Sequence, residues 1–140
     1  MTTAIDSNVL VALWNEDDNL NTEARRALDT ALSRGSLVVA APVFAELLAA
    51  SGRTEEFLNV FCEETGIAIE WDLRESVWRA AGRAYQSHVS RRKRQGAGGP
   101  RRILADFLIG AHAAQNGYRL LTLDDRLYRA AFPGLVITRL

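Results

Sequence analysis

Short apolar runs recur along this chain, each followed by a stretch with helical periodicity, and that alternation limits the possible folds more than any other feature. Residues 2–5, 37–40, 67–71, 119–122 and 135–138 read as strands of four or five residues. Between them lie helices. Asp6-Ser-Asn supplies N-cap residues for a helix through Val9 to Trp14, and Asn21 or Thr22 caps an amphipathic helix to about Arg34. Pro42 suits the first turn of a helix broken at Ser51-Gly52, and residues 54–65 form another, stopped by Gly66. Asp72-Leu-Arg-Glu75 matches a capping box opening a helix to about Val89. Residues 91–102 read as a loop. A helix follows from Ile103 until Gly117, and Asp124 caps a last short helix to about Phe132. Strands alternating with helices imply an α/β fold with a parallel sheet covered on both faces. No repeat or linker divides the 140 residues, so a single domain, 1–140, is expected.

Four acids stand out because their surroundings are apolar. Asp106 is the one charged side chain between positions 103 and 114. Asp6 is alone in residues 2–14, Glu46 in residues 41–50, and Asp124 closes the run Leu120-Leu-Thr-Leu123. A buried, ionised, unpaired carboxylate is costly, so each needs a hydrogen bond, a base, a proton or a metal. One such acid reads equally well as a solvent-facing residue of a first helical turn; four fit one shared site better. In an open α/β sheet, ligands bind beyond the carboxyl ends of the strands. Asp6, Asp124 and Glu46 follow their strands by one, two and about six residues, and Asp106 opens a helix whose preceding loop could reach the same edge.

Carboxylates gathered without a base repel and raise one another's pKa, and stay ionised together only with a cation. All-oxygen ligation suits Mg²⁺ or Mn²⁺ rather than zinc or copper. Position 112 falls roughly 240° around a helix from position 106, so His112 points away from the acids; His88 is expected in solvent. Two such ions are a recurrent device for phosphodiester hydrolysis. The chain shows no Gly-x-Ser-x-Gly, Cys–His pairing or phosphate-binding Gly-rich loop that would supply another chemistry. Ser7 and Thr122 neighbour acids and could orient a carboxylate or a water, or act purely structurally. Cys62 is the single cysteine, expected to be a buried, inert thiol, so no disulfide framework exists.

Net charge is zero, with 17 basic and 17 acidic residues, but the distribution is uneven. Arg91, Arg92, Lys93, Arg94, Arg101 and Arg102 lie within twelve positions, just before Asp106. The plain reading is a solvated segment. The functional reading is a strip that holds nucleic-acid phosphates beside an acidic pocket which would otherwise repel them. No signal pattern or membrane-length apolar run is present in the sequence, and a cytoplasmic setting is expected.

With these residues in view, the chain resembles the PIN-domain ribonucleases, and among them the VapC-type toxins of bacterial toxin–antitoxin pairs. Ile5-Asp-Ser-Asn-Val-Leu10, Pro42-Val-Phe-Ala-Glu-Leu-Leu48, Ala105-Asp-Phe-Leu-Ile-Gly-Ala-His-Ala113 and Leu121-Thr-Leu-Asp-Asp-Arg126 look like the four family motifs, in order. The resemblance implies a three-layer α/β/α sandwich with a short, mainly parallel sheet. It implies an Mg²⁺- or Mn²⁺-dependent endoribonuclease acting through Asp6, Glu46, Asp106 and Asp124, usually homodimeric, blocked by an antitoxin whose tail enters the site. Asp125 is the alternative fourth acid. Gly110 stands where the third motif usually has another small residue, and the insertion at 91–102 is more basic than the pattern. An apolar groove near Trp14 is expected to take the inhibitor's amphipathic segment. Two other functions compete. A metal-dependent phosphatase lacks an Asp-x-Asp nucleophile here, and a non-catalytic RNA- or partner-binding module on the same fold has no need of all four acids.

Overall fold

The computed structural model describes residues 1–96 and 104–139. Five strands, β1 (Thr2–Ile5), β2 (Ser36–Ala40), β3 (Ala68–Glu70), β4 (Arg119–Thr122) and β5 (Ile137–Arg139), form one sheet in the order β3-β2-β1-β4-β5. Every pairing is parallel. Parallel neighbours need crossovers, and seven helices supply them: α1 (Ser7–Trp14), α2 (Asn21–Arg34), α3 (Ala41–Ala50), α4 (Glu55–Thr65), α5 (Glu75–Arg94), α6 (Leu104–Asn116) and α7 (Arg126–Ala131).

The chain winds outward from β1 through β2 to β3, then crosses back to β4 and continues to β5. Right-handed crossovers therefore place α1–α4 on one face and α5–α7 on the other. Packing of α1 on α2, of α3 on α4, and of α5, α6 and α7 on one another agrees. This is an α/β/α sandwich. Direction reverses between β1 and β4, which makes the gap beyond their carboxyl ends the topological switch point. β1 lies at the centre of the sheet, with Ala4 and Ile5 almost fully buried, so Asp6 emerges at the middle of that edge. The Asp6 amide donates to the Leu121 carbonyl (3.0 Å) and stitches the two strand ends together.

Several local expectations give way to tertiary contacts. Asn21 does not cap α2: its side-chain amide donates to the Ala12 and Leu13 carbonyls at the end of α1. The capping box at 72–75 does not form, and Arg74 holds the N-cap position of α5. The Arg74 guanidinium instead donates to the Gln115 carbonyl (3.1 Å) and Asn116 Oδ1 (3.0 Å), fastening the start of α5 to the end of α6. That helix does not stop near Val89. It continues to Arg94, so Arg91, Arg92, Lys93 and Arg94 form its last turn and are not a loop. Arg and Lys are good helix formers, no Pro or Gly intervenes before Gly96, and cations favour the negative end of the helix dipole. The last strand is also displaced, to Ile137–Arg139 from the expected 135–138.

Candidate acidic site at the strand switch point

Asp6 caps α1. Its Oδ1 accepts from the Ser7 amide at 2.8 Å, while Oδ2 accepts from the Thr122 hydroxyl and from the Tyr128 hydroxyl, both at 2.9 Å. Thr122 has one proton to give, and it goes to Asp6. Its oxygen then accepts from the Asp124 amide (3.2 Å) and the Asn8 side-chain amide (3.4 Å). Asn8 Oδ1 accepts from the Leu123 amide (3.2 Å), which pins the turn after β4 to the first turn of α1. Asp6 is 6 % exposed, and burial raises its carboxyl above the ordinary value of 3.8 against the lowering effect of these hydrogen bonds.

Glu46, on the second turn of α3, accepts from the Ser7 hydroxyl at 3.0 Å. Burial raises its carboxyl, the Ser7 hydrogen bond opposes this, and the negative charges of Asp6 and Asp106 raise it further. The Tyr128 hydroxyl is likewise pushed up, by burial first and then by Asp6, Asp106 and Glu46. Tyr128 therefore stays a phenol and a donor. Three acids, Asp6 at the start of α1, Glu46 on α3 and Asp106 on α6, thus share one electrostatic neighbourhood.

Asp124 sits to one side. It does not cap α7, since Asp125 holds that position. Its Oδ1 accepts from the Arg126 amide (3.3 Å), and its link to Asp6 runs through the Thr122 hydroxyl. Asp125 is committed elsewhere, to Arg129 at 2.5 Å and Arg139 at 3.8 Å, and its carboxyl is lowered, chiefly by Arg129. Asp124, and not Asp125, is tied through its backbone amide to the Thr122 hydroxyl that also donates to Asp6.

The basic run divides. Arg91 and Arg92 line a cleft of about 850 Å³ together with Asp124, Arg126 and Arg139. Lys93 and Arg94 are exposed on the same turn and do not line it. Arg101 and Arg102 lie outside the described residues. His112 is buried away from the acids, with Nε2 at 2.7 Å from Glu70. His88 is not in solvent as expected; it is half-buried against the Phe107 ring. Trp14 is half-buried as well, edge-on to Phe57 and Phe61. Cys62 is buried and its thiol is raised by burial.

Two residues of the cluster escape a reading of the sequence. Tyr128 lies 122 positions from Asp6, and its amphipathic spacing signals only burial. Asn8 looks like a spare cap beside Asp6. Tyr128→Phe removes one hydrogen bond to a charged acceptor, a loss of about 1.5–3 kcal/mol. The expected result is a protein folded as before, with any RNA-cleaving rate lowered by about tenfold or more and its acid limb moved to higher pH. An unchanged pH–rate profile would show that the hydroxyl only fills space.

The donors fit a hard divalent cation in kind: all are oxygens, and no nitrogen or sulfur takes part. Among the described residues, no three Asp, Glu, His or Cys side chains converge closely enough to enclose an ion as they stand. Like-charged carboxylates without a counter-ion are not expected to close on one another.

Fold and site together define a doubly wound α/β protein with an acid cluster at its switch point. The chain belongs to the PIN domain family, matched over residues 3–133. No curated protein sequence is significantly similar to it. Among solved structures it is similar to VapBC-1 from nontypeable Haemophilus influenzae, with 17 % identity, TM-score 0.70, and 99 % of this chain and 98 % of that one covered. It is also similar to a toxin–antitoxin complex from Klebsiella pneumoniae, with 18 % identity, TM-score 0.66, and 96 % and 95 % covered. A third is VapC20 from Mycobacterium tuberculosis, described as a sarcin–ricin-loop-cleaving toxin, with 17 % identity, TM-score 0.66, and 99 % of each chain covered. At these identities the likeness shows the fold.

Proposed function

We propose that this protein is a VapC-type toxin, an Mg²⁺- or Mn²⁺-dependent endoribonuclease that hydrolyses RNA phosphodiester bonds at the carboxylate cluster. The observation that carries the reading is the shared electrostatic neighbourhood of Asp6 at the end of β1, Glu46 of α3 and Asp106 of α6, together with a cleft lined by Arg91, Arg92 and Asp124. The similar folds of a toxin–antitoxin complex and of a sarcin–ricin-loop-cleaving toxin support it.

In this reading Asp6, Glu46, Asp106 and Asp124 hold one or two divalent ions, which when bound supply an activated water and stabilise charge on the phosphate. The protein's own part is orientation. The hydroxyls of Thr122 and Tyr128 and the Ser7 amide fix Asp6, the Ser7 hydroxyl fixes Glu46, and the hydrogen bond from the Asp124 amide to Thr122 sets the turn that carries Asp124. Arg91 and Arg92 offset the repulsion between the acids and a polyanion. The cognate partner is an antitoxin, and the active form is a homodimer. Exposed Trp78 and Trp71, with Leu48 and Val60, provide apolar surface for such contacts, whereas Trp14 is largely taken up by its aromatic neighbours. No described helix is long and apolar enough to cross a membrane.

Purified protein should cleave RNA in Mn²⁺ or Mg²⁺ and stop on addition of a chelator, with activity restored by excess metal. RNA binding without cleavage under every metal condition would favour the non-catalytic module instead.

A further inference from the structure

The helix layer made by α1–α4 covers β1, β2 and β3, but α2 packs on α1 and β2 and overhangs a hollow above β4 and β5. The hollow holds about 350 Å³ and lies within the size range of small-ligand pockets. Arg26, Arg34 and Glu23 of α2, Arg119 of β4 and Arg139 of β5 surround it, with Ala31 of α2 on one side and Leu121 of β4 on the other. Strand pairing sets Thr3 opposite Arg119 and Leu121 opposite Thr138, so the strand side is one continuous sheet face. The Arg119 Nε is buried and has no hydrogen-bond partner. Arg26 and Arg34 form no ion pair among the described residues. Guanidiniums gathered from three elements repel one another, and a buried N–H without an acceptor is costly. Glu23 on the same wall offsets part of the repulsion, and an anion in the hollow relieves the rest together with the unmet Arg119 N–H.

Arg139 also lines the cleft that contains Arg91, Arg92 and Asp124, so the two cavities share a wall. The basic surface therefore continues from the acid cluster around the end of β5 into the hollow. We infer that the hollow seats one nucleotide of a single RNA strand whose cleaved phosphate lies at the acids, with the base between Ala31 and Leu121 and the phosphates on Arg26, Arg34 and Arg119. This rests on the ribonuclease reading and adds a second contact point, away from the reacting bond, to it. The apolar slot between Ala31 and Leu121 is what favours a nucleotide over an acidic peptide, because guanidiniums alone would suit either whereas an apolar slot beside them takes a planar base.

The test is binding, measured apart from cleavage. A fluorescent single-stranded oligoribonucleotide is titrated in chelator, by anisotropy, over a series of salt concentrations. Two variants are compared with the wild type: Arg26→Glu/Arg34→Glu, both exposed residues of α2, and Ala31→Leu, which fills the hollow without changing charge. The double reversal should weaken binding by about tenfold or more, with the log–log salt slope reduced by about 0.7 for each lost phosphate contact. Ala31→Leu should weaken binding several-fold and leave the slope unchanged. Adenosine monophosphate is the second probe: competition with the oligonucleotide in the wild type and not in Ala31→Leu supports a seat for a single nucleotide. Wild-type affinity and slope in both variants, in a protein that still cleaves RNA in Mn²⁺, would overturn the inference and leave the nuclease standing. Competition by an acidic peptide and not by the nucleotide would overturn it as well. Absence of any RNA binding or cleavage by the wild type would bring down both readings.

Discussion

Asp6→Asn should abolish RNA cleavage, by about 10³-fold or more, because several kcal/mol of charge stabilisation depend on the site's ions and each 1.36 kcal/mol is tenfold. The metal-free protein should stay folded and gain stability as pH rises relative to wild type. Burial raises the Asp6 carboxyl in the folded state above its unfolded value of 3.8. The folded protein thus favours the protonated acid. Ionising it costs stability, beginning as pH climbs past the unfolded value and complete once pH passes the raised folded value. Asn is neutral throughout, so the melting difference, variant minus wild type, should grow across that window. Part of the gain is offset: an amide cannot accept from Ser7, Thr122 and Tyr128 together as the carboxylate does. Asp106→Asn should lose activity in the same way. Melts in chelator between about pH 4 and 8, with cleavage assays in Mn²⁺, check both halves. Full activity in both variants would remove the acids from the mechanism.

Gly110→Val should give the largest loss of stability, about 3 kcal/mol, at the upper end of what overpacking a core costs. That is on the order of 10 °C in Tm. A Cβ at this position in α6 would lie 2.4 Å and 2.7 Å from two atoms of the Phe132 ring and 3.0 Å from the Tyr128 ring. Both rings are buried. The small residue in the third motif is therefore set by an aromatic pair packing against the helix. Since Tyr128 also holds Asp6, the variant should lose cleavage beyond its loss of stability. Gly82→Ala is the control, because nothing lies near a Cβ there and α5 should gain up to about 1 kcal/mol. Equal melting of Gly110→Val and wild type would mean that the rings move aside freely.

What was legible from sequence followed from physics that acts locally or on every buried charge. Asp6, Glu46 and Asp106 could be picked out because a lone carboxylate among apolar residues demands a reason, and their shared neighbourhood appears in the effect of Asp6 and Asp106 on Glu46. The strands were legible from short β-prone runs, and all five occur, β2 and β3 with slightly different ends and β5 displaced by one or two residues. The expected role of Asp72 as a cap failed because Arg74 found better partners across the fold, on α6. The end of α5 was misplaced because a charge run looks like a loop while its residues favour helix as strongly as most. Tyr128, Asn8 and the arginine-lined hollow were invisible, since each depends on which strands become neighbours.

That dependence has a consequence in time. Asp6 receives its hydroxyl donors from Thr122 and Tyr128, separated from it by 116 and 122 residues. Ribosomes deliver the chain N-terminus first, at about 5–20 residues per second, and pairings between distant segments form late because loop closure must precede them. Asp6 is made well before α7 and stays incomplete until α7 has docked. A chain cut short before α7, or one in which α7 and β5 have transiently peeled away, keeps its carboxylates but not their alignment. The acids at the switch point are therefore brought into register by the docking of α7, a step separate from the folding of the elements that carry Asp6, Glu46 and Asp106.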